Sequence, residues 1–183
     1  AAGESRRWGA DNKLLAPIDG KPMVRRTAEA ILRSTVRPIV VVTGHEAVEV
    51  RAALADLPLS FHHAPDYAEG MSKSLKAGVA AVPDACAGAL ICLGDMPFVR
   101  PDTLDQLARF HVGQAAVFPT YQGQRGNPVL LSRSLFADIM RLSGDEGGRT
   151  LLRAIPDQVC ELPVGDPGIL RDVDRPDALR DTL

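Results

Sequence analysis

At 183 residues the chain has the length of one domain with a sizeable core, and its 45% apolar and 24% charged content is that of a globular protein. A formal net charge of -2 offers no electrostatic footprint for nucleic acid or an anionic membrane, so neither is expected as a partner. No apolar run approaches the roughly 20 residues that a membrane-spanning helix needs.

The predicted elements alternate along the chain. Residues 1–15 come first: small Ala1, Ala2 and Gly3, then a stretch carrying Arg6, Arg7, Gly9 and Lys13. The start is abrupt and reads as a strand-to-loop junction, so the leading strand is expected to be cut away. Apolar residues at Met23, Ala28, Ile31 and Leu32 give a helix over 23–32. The β-branched run 38–44 is a buried parallel strand ending in Gly44. A helix over 48–57, a shorter or edge strand over 59–63 and a helix over 71–82 follow. Further strands are expected over 89–94, 115–119 and 128–131, with helices over 103–110, 134–142 and 150–155. Two glycine-rich loops, 121–128 and 143–149, have the make of binding lids or of plain turns. The pattern predicts one α/β domain over 1–183, Rossmann-like, with a mostly parallel sheet and helices on both faces.

In such sheets ligands bind at the carboxyl ends of strands. The opening loop, Thr43-Gly44-His45-Glu46 and Gly94-Asp95-Met96-Pro97 all fall there and are expected to face one crevice. The opening loop offers backbone N–H groups and mobile cations to a polyphosphate, or is a solvated basic turn. It is not a P-loop, because the Gly-Lys-Ser/Thr ending is missing. Asp95 follows an apolar strand, where a carboxylate is costly unless paired, hydrogen-bonded or bound to a cation such as magnesium; an Asx turn is the structural alternative. Near the C-terminus, Asp172 and Asp174 flank Val173. With Val173 inward, both carboxylates share the opposite face, and one of them completes a metal site with Asp95 or caps a last helix before Pro176. His45, His62, His63 and His111 lack metal spacing and are expected to be structural. Cys86, Cys92 and Cys160 lack CxxC spacing and read as buried free thiols of a reducing cytoplasm.

These motifs together resemble the MobA-like nucleotidyltransferases, most closely the molybdenum cofactor cytidylyltransferases. The opening Ala1-Ala2-Gly3-x-Ser5-x-Arg7-x-Gly9-x-x-x-Lys13-Leu14-Leu15 is similar to the family's nucleotide signature. Thr43-Gly44-His45, the stretch 65–75, Gly94-Asp95-Met96-Pro97, Arg125-Gly126-Asn127-Pro128 and Asp172-Val173-Asp174-x-Pro176 follow in order. Trp8 and Ala64 depart from the usual methionine and asparagine. The resemblance implies a nucleotide-diphospho-sugar transferase type of fold. It implies that Ala1, Ala2 and Gly3 contact the base or ribose, Arg7 and Lys13 hold the triphosphate, and Gly70, Met71 and Ser74 frame a cytosine. Asp95 and Asp174 would hold Mg2+, and Asn127 and Pro128 would lie in the acceptor half. Arg7, Lys13 and Asp95 would then be the catalytic groups.

The function this implies is a cytoplasmic, magnesium-dependent transfer of CMP from CTP to a molybdopterin-type cofactor, with release of pyrophosphate and hand-over to a client molybdoenzyme. The alternatives are another acceptor or GTP, an NAD(P)-dependent oxidoreductase, and a non-catalytic cofactor carrier. The lack of a clear G-x-G-x-x-G after a strand weighs against the oxidoreductase.

Overall fold

The computed structural model describes residues 1–2, 12–110, 113–142 and 148–174, apart from the side chain of Arg149. Gly3 and Arg7, with the rest of the basic opening loop, lie outside the described residues, as do His111, Pro176 and most of the second glycine-rich loop.

The chain first makes a small hairpin of β1 (Pro17–Ile18) and β2 (Lys21–Pro22). Its turn is Asp19-Gly20, both at positive φ (46° and 77°), the conformation that an Asp-Gly pair adopts readily. Helix α1 (Met23–Leu32) buries Met23, Val24, Thr27, Ala28 and Ala30, a stripe at helical spacing. A β-α-β unit follows: β3 (Val40–Thr43), α2 (Ala47–Ala53) and β4 (Ser60–His63). The two strands are parallel, with Val40 opposite Ser60 and Thr43 opposite His63. Leu14, Val24, Ala28, Val50 and Leu54 form the core beneath this unit.

Helix α3 (Met71–Ala80) leads to β5 (Gly88–Ile91), and α4 (Pro101–Phe110) to β6 (Ala116–Tyr121). Next come β7 (Gln124–Arg125), β8 (Val129–Ser132), α5 (Phe136–Ile139), α6 (Gly148–Arg153) and β9 (Val159–Pro163). The sheet order is β5-β8-β6-β7, with β9 pairing parallel to β6. Successive strand residues serve opposite faces. Ala89, Ile91, Ala116 and Leu131 pack toward α3, α5 and α6, while Leu90, Val117 and Leu130 pack toward Leu107 of α4. Leu107 is fully buried, which stabilises the fold by about 1.5–3 kcal/mol relative to an exposed leucine. Helices therefore cover both faces, and the single-domain α/β class expected from the alternating runs is the one observed.

The sheet is mixed, because β8 runs antiparallel to both β5 and β6. Residues 122–128 are all that separate β6 from β8, and a parallel return needs a dozen residues or more. The chain instead turns back at Gln122-Gly123, both at positive φ, into the short β6–β7 ladder. Strand β9 goes beyond the sequence expectations. Its apolar positions Cys160 and Leu162 alternate with exposed Glu161, a pattern too brief to stand out beside its terminal Pro163. No helix among the described residues is long and apolar enough to cross a membrane.

Candidate active site

Two strand ends and the first residues of the chain meet at one place. Gly44 follows β3, and its missing side chain matters. A Cβ there would sit 2.7 Å from the Ala2 carbonyl oxygen and 2.6 Å from Cγ of Tyr67. The neighbouring His45 N–H donates to that Ala2 oxygen at 3.3 Å. Beyond β5, Gly94 faces Leu14 and Ala1, at 3.2 Å and 3.7 Å from the place a Cβ would take. Ala1 and Ala2 thus lie between the loops after β3 and β5, at the carboxyl ends of those strands.

Lys13 opens a 3-10 turn, Lys13–Leu15. Asn12 caps it, its Oδ1 accepting from the Leu14 N–H at 3.0 Å, and Leu14 anchors it in the core. The Lys13 ammonium Nζ lies 2.5 Å from Asp95 Oδ2 and 2.9 Å from Asp174 Oδ1. The three side chains are 19%, 16% and 38% exposed, so the cluster sits at the rim of the fold. Burial works to lower the Lys13 pKa, but the hydrogen bonds and charges of Asp95 and Asp174 outweigh it, and the net direction is upward. The ammonium stays charged.

The backbone fixes this arrangement. Thr27 of α1 donates through Oγ1 to the Gly94 carbonyl at 3.0 Å. The Asp95 carbonyl accepts from the Val173 N–H at 2.9 Å. Val173 is buried against Ile18, Met23 and Phe98, while Asp174 reaches Lys13 and Asp172 is exposed. Of the C-terminal acidic pair, the structure brings Asp174 to Lys13.

The chemistry of this donor set fits a small divalent ion. Two hard carboxylate oxygens already converge on one cation, and magnesium commonly takes one or two carboxylates plus substrate phosphates. Among the described residues no group of three or more His, Cys, Asp or Glu side chains is placed to hold a metal alone. An ion here would complete its shell from substrate and water.

The stretch 65–75 reaches the same place through Tyr67. Its ring covers Gly44, and its hydroxyl lies 3.5 Å from His45 Nδ1. Gly70, at φ 127°, then starts α3. Met71 is exposed and Ser74 half-buried on the first turns, while Lys73 is tied back to Glu69 at 2.7 Å. Gly70, Met71 and Ser74 follow directly on Tyr67, whose ring packs on Gly44 beside Ala2. On the other side, the Asn127 N–H donates to the Ile169 carbonyl at 2.9 Å, and Asn127 is half-buried. Pro128 is buried, lining a small cavity with Thr27, Cys92, Met96 and Leu104 beneath the Gly94–Pro97 turn. Desolvation pushes the Cys92 thiol up to about 12, so it is inert at neutral pH. All three cysteines are free. Of the histidines, His63 meets Thr43 Oγ1 at 3.5 Å and His62 is exposed.

Asn12, Thr27 and Tyr67 are the positioning residues that pattern reading passes over. The signals were a capping residue immediately before Lys13 and a hydroxyl inside the apolar stripe of α1. Gly44→Ala tests the close approach. The added Cβ must displace Tyr67 or Ala2, and nucleotide affinity should fall roughly tenfold by calorimetry, since small displacements of positioning groups are costly. Unchanged affinity would mean that the contact does not shape the site.

Residues 1–159 match the family described as the MobA-like NTP transferase domain. The purine catabolism protein PucB of Bacillus subtilis is 31% identical over 188 residues, covering 97% of this chain and 90% of that protein. Nicotine blue oxidoreductase of Paenarthrobacter nicotinovorans is 30% identical over 184 residues, covering 95% and 89%. By contrast, the chain spans 29% of the length of the bifunctional protein GlmU from Syntrophotalea carbinolica, to which it is 32% identical over 136 residues. Among solved structures, Rv0371c of Mycobacterium tuberculosis H37Rv superposes with a TM-score of 0.87 at 30% identity, covering 99% of this chain and 93% of that one. A manganese complex of Rv0371c superposes at 0.84 with 28% identity, covering 100% and 94%. The match spans the opening loop, both strand-end loops and the stretch through Tyr67, and the chain belongs to the MobA-like NTP transferase domain family.

Proposed function

We propose that this protein is a nucleotidyltransferase that moves CMP from CTP to a molybdopterin-type acceptor, releasing pyrophosphate, with Mg2+ held by Asp95 and Asp174. The observation that carries this reading is the Lys13–Asp95–Asp174 cluster, set beside Ala1, Ala2 and Gly44 at the carboxyl ends of β3 and β5. Family membership supports the transferase class, and the manganese complex of Rv0371c supports a divalent ion. The Ala1-Ala2 opening supports CTP over GTP.

The reaction asks little of an acid or base. An acceptor phosphate oxygen attacks the α-phosphorus, the bond from that phosphorus to the bridging oxygen breaks, and pyrophosphate leaves carrying the electron pair. The nucleophile is already anionic, so no proton needs to be removed. The protein's part is positioning and charge neutralisation. Lys13, with Arg7 from the opening loop, would hold the triphosphate oxygens. Ala1 and Ala2 would let the nucleoside approach the backbone, and Tyr67 would hold the stretch leading to Gly70, Met71 and Ser74 beside it. Asn127 would face the acceptor, with Pro128 packed beneath it. A bound divalent ion would supply further positive charge for the phosphates. The product would pass to a client molybdoenzyme.

The likeness to nicotine blue oxidoreductase favours a second reading, in which the same fold binds a nicotinamide dinucleotide. Calorimetry with CTP, GTP and ATP, each with Mg2+, and with NADPH separates the two. CTP should bind tightest, by about tenfold or more, because a buried site built for one base leaves polar groups unpaired with another. GTP binding tightest would overturn the cytidylyl assignment. NADPH binding with no triphosphate binding would overturn the transferase reading.

A further inference from the structure

The side chains of His45 and Glu46, just beyond the carboxyl end of β3, take no part in the reaction described above. His45 is held from two directions. Its backbone N–H donates to the Ala2 carbonyl at 3.3 Å. Its ring centroid lies 6.2 Å from that of Tyr67, with Nδ1 3.5 Å from the phenol oxygen. With the Tyr67 O–H donating to Nδ1, the proton of the neutral imidazole sits on Nε2. Nε2 lies 3.7 Å from Oε1 of Glu46, too far for a good hydrogen bond. One donor and one carboxylate acceptor therefore stand side by side, on side chains that are 36% and 34% exposed. Glu46 itself is at φ 46° and ψ 48°, in the left-handed region that favours glycine. Glycine would make this turn with less strain, and what it would not bring is the carboxylate.

We propose that Glu46 and His45 bind the sugar hydroxyls of a ribonucleotide, with His45 Nε2–H donating to a hydroxyl oxygen and the Glu46 carboxylate accepting from the hydroxyl protons. A hydroxyl is donor and acceptor at once, so a vicinal diol matches a donor set beside a carboxylate. The place fits as well. In the nucleotidyltransferase reading above, on which this inference rests, Ala1 and Ala2 let the nucleoside approach the backbone, and His45 is bonded to Ala2. In dinucleotide-binding α/β folds an acidic residue takes the same role toward a ribose hydroxyl. The discrimination assigned to Glu46 and His45 is toward the sugar. It is separate from the choice of base and from the Lys13–Asp95–Asp174 cluster.

Calorimetry on the full chain with Mg2+, comparing CTP with 2′,3′-dideoxy-CTP, tests the pair. Wild type should bind CTP about tenfold or more tightly than the dideoxy analogue, the scale of a lost hydrogen bond to a charged group. Glu46→Gly should bring that ratio below about threefold by weakening CTP and not the analogue. The same variant should melt no lower than wild type, because glycine suits the left-handed backbone. A glutamate that served only the turn would leave the ratio where it was. Glu46→Gln keeps the shape without the charge, and His45→Phe keeps a ring against Tyr67 without its nitrogens; each should lower the ratio too. Equal binding of the two nucleotides by wild type would overturn the sugar site and leave triphosphate binding standing. So would a ratio that stays at the wild-type value in Glu46→Gly and Glu46→Gln. If wild type binds neither nucleotide, the transferase reading falls and the sugar site falls with it.

Discussion

Asp95→Asn should lower turnover by a factor of about a hundred to a thousand, the scale seen when an electrostatic contact to a charged transition state is removed. Asparagine keeps the shape of the side chain, and the Asp95 carbonyl would still accept from the Val173 N–H. Lys13 would still have Asp174 at 2.9 Å. Stability should therefore stay within about 1 kcal/mol of wild type, since the substitution creates neither a cavity nor a backbone clash. The loss would fall on the hard, charged oxygen that the phosphate chemistry needs. Steady-state kinetics at saturating Mg2+ together with urea denaturation check both halves. Normal turnover at saturating Mg2+ would reduce Asp95 to a structural partner of Lys13. The companion pair is Asp174→Ala, which should be severely impaired, and Asp172→Ala, which should be nearly neutral because Asp172 is exposed. The reverse outcome would move the role to Asp172.

The second large effect lies away from the chemistry. Asp166 is buried, at 3% exposure, and its carboxylate serves several donors. Oδ2 accepts from the Arg100 N–H at 2.8 Å and the Thr103 hydroxyl at 2.7 Å, and Oδ1 accepts from the Gly168 N–H at 2.9 Å. Arg100 Nε lies 3.3 Å from Oδ1. The carboxylate thus ties the start of α4 to the turn after β9. Asp166→Ala would strand these donors and should cost about 3 kcal/mol, at roughly 1–3 kcal/mol for each buried group left unsatisfied. For a chain of this size that lowers Tm by about 6–12 °C. The pH dependence has a definite sign. Burial would raise the Asp166 pKa, but the hydrogen bonds from Arg100, Thr103 and Gly168 prevail and hold it below the usual carboxylate range. A depressed pKa gives stability that is fully present above the unfolded value of about 3.9 and is lost as pH falls through the folded value. Unfolding free energy should therefore drop more steeply below about pH 4 in wild type than in Asp166→Ala. Parallel acid-unfolding curves, or a Tm loss under about 2 °C, would show that the carboxylate is dispensable.

The legible parts of the molecule are those where one residue type answers one physical demand. The apolar period of Met23–Leu32 and the β-branched run ending at Thr43 specify a helix and a strand locally, and both elements occur there. Asp95 at the end of an apolar strand signals an uncompensated charge, and the structure supplies Lys13 as its partner. The remainder depends on contacts between distant parts of the chain. No local pattern distinguishes Asp174 from Asp172, because the difference lies in Lys13, far away in sequence, which reaches Asp174. The antiparallel direction of β8 follows from the length of the connection after β6 rather than from the composition of Val129–Ser132. Asp166 carries no motif, and its importance arises from donors on α4, far away in sequence.

The most direct test of the proposed reaction is transfer from α-32P-labelled CTP to molybdopterin by the full chain, with and without Mg2+. Labelled CMP should appear on the pterin with one pyrophosphate released per transfer, only when Mg2+ is present, and with far less transfer from GTP. Hydride exchange with NADPH in the absence of any nucleotidyl transfer would contradict it.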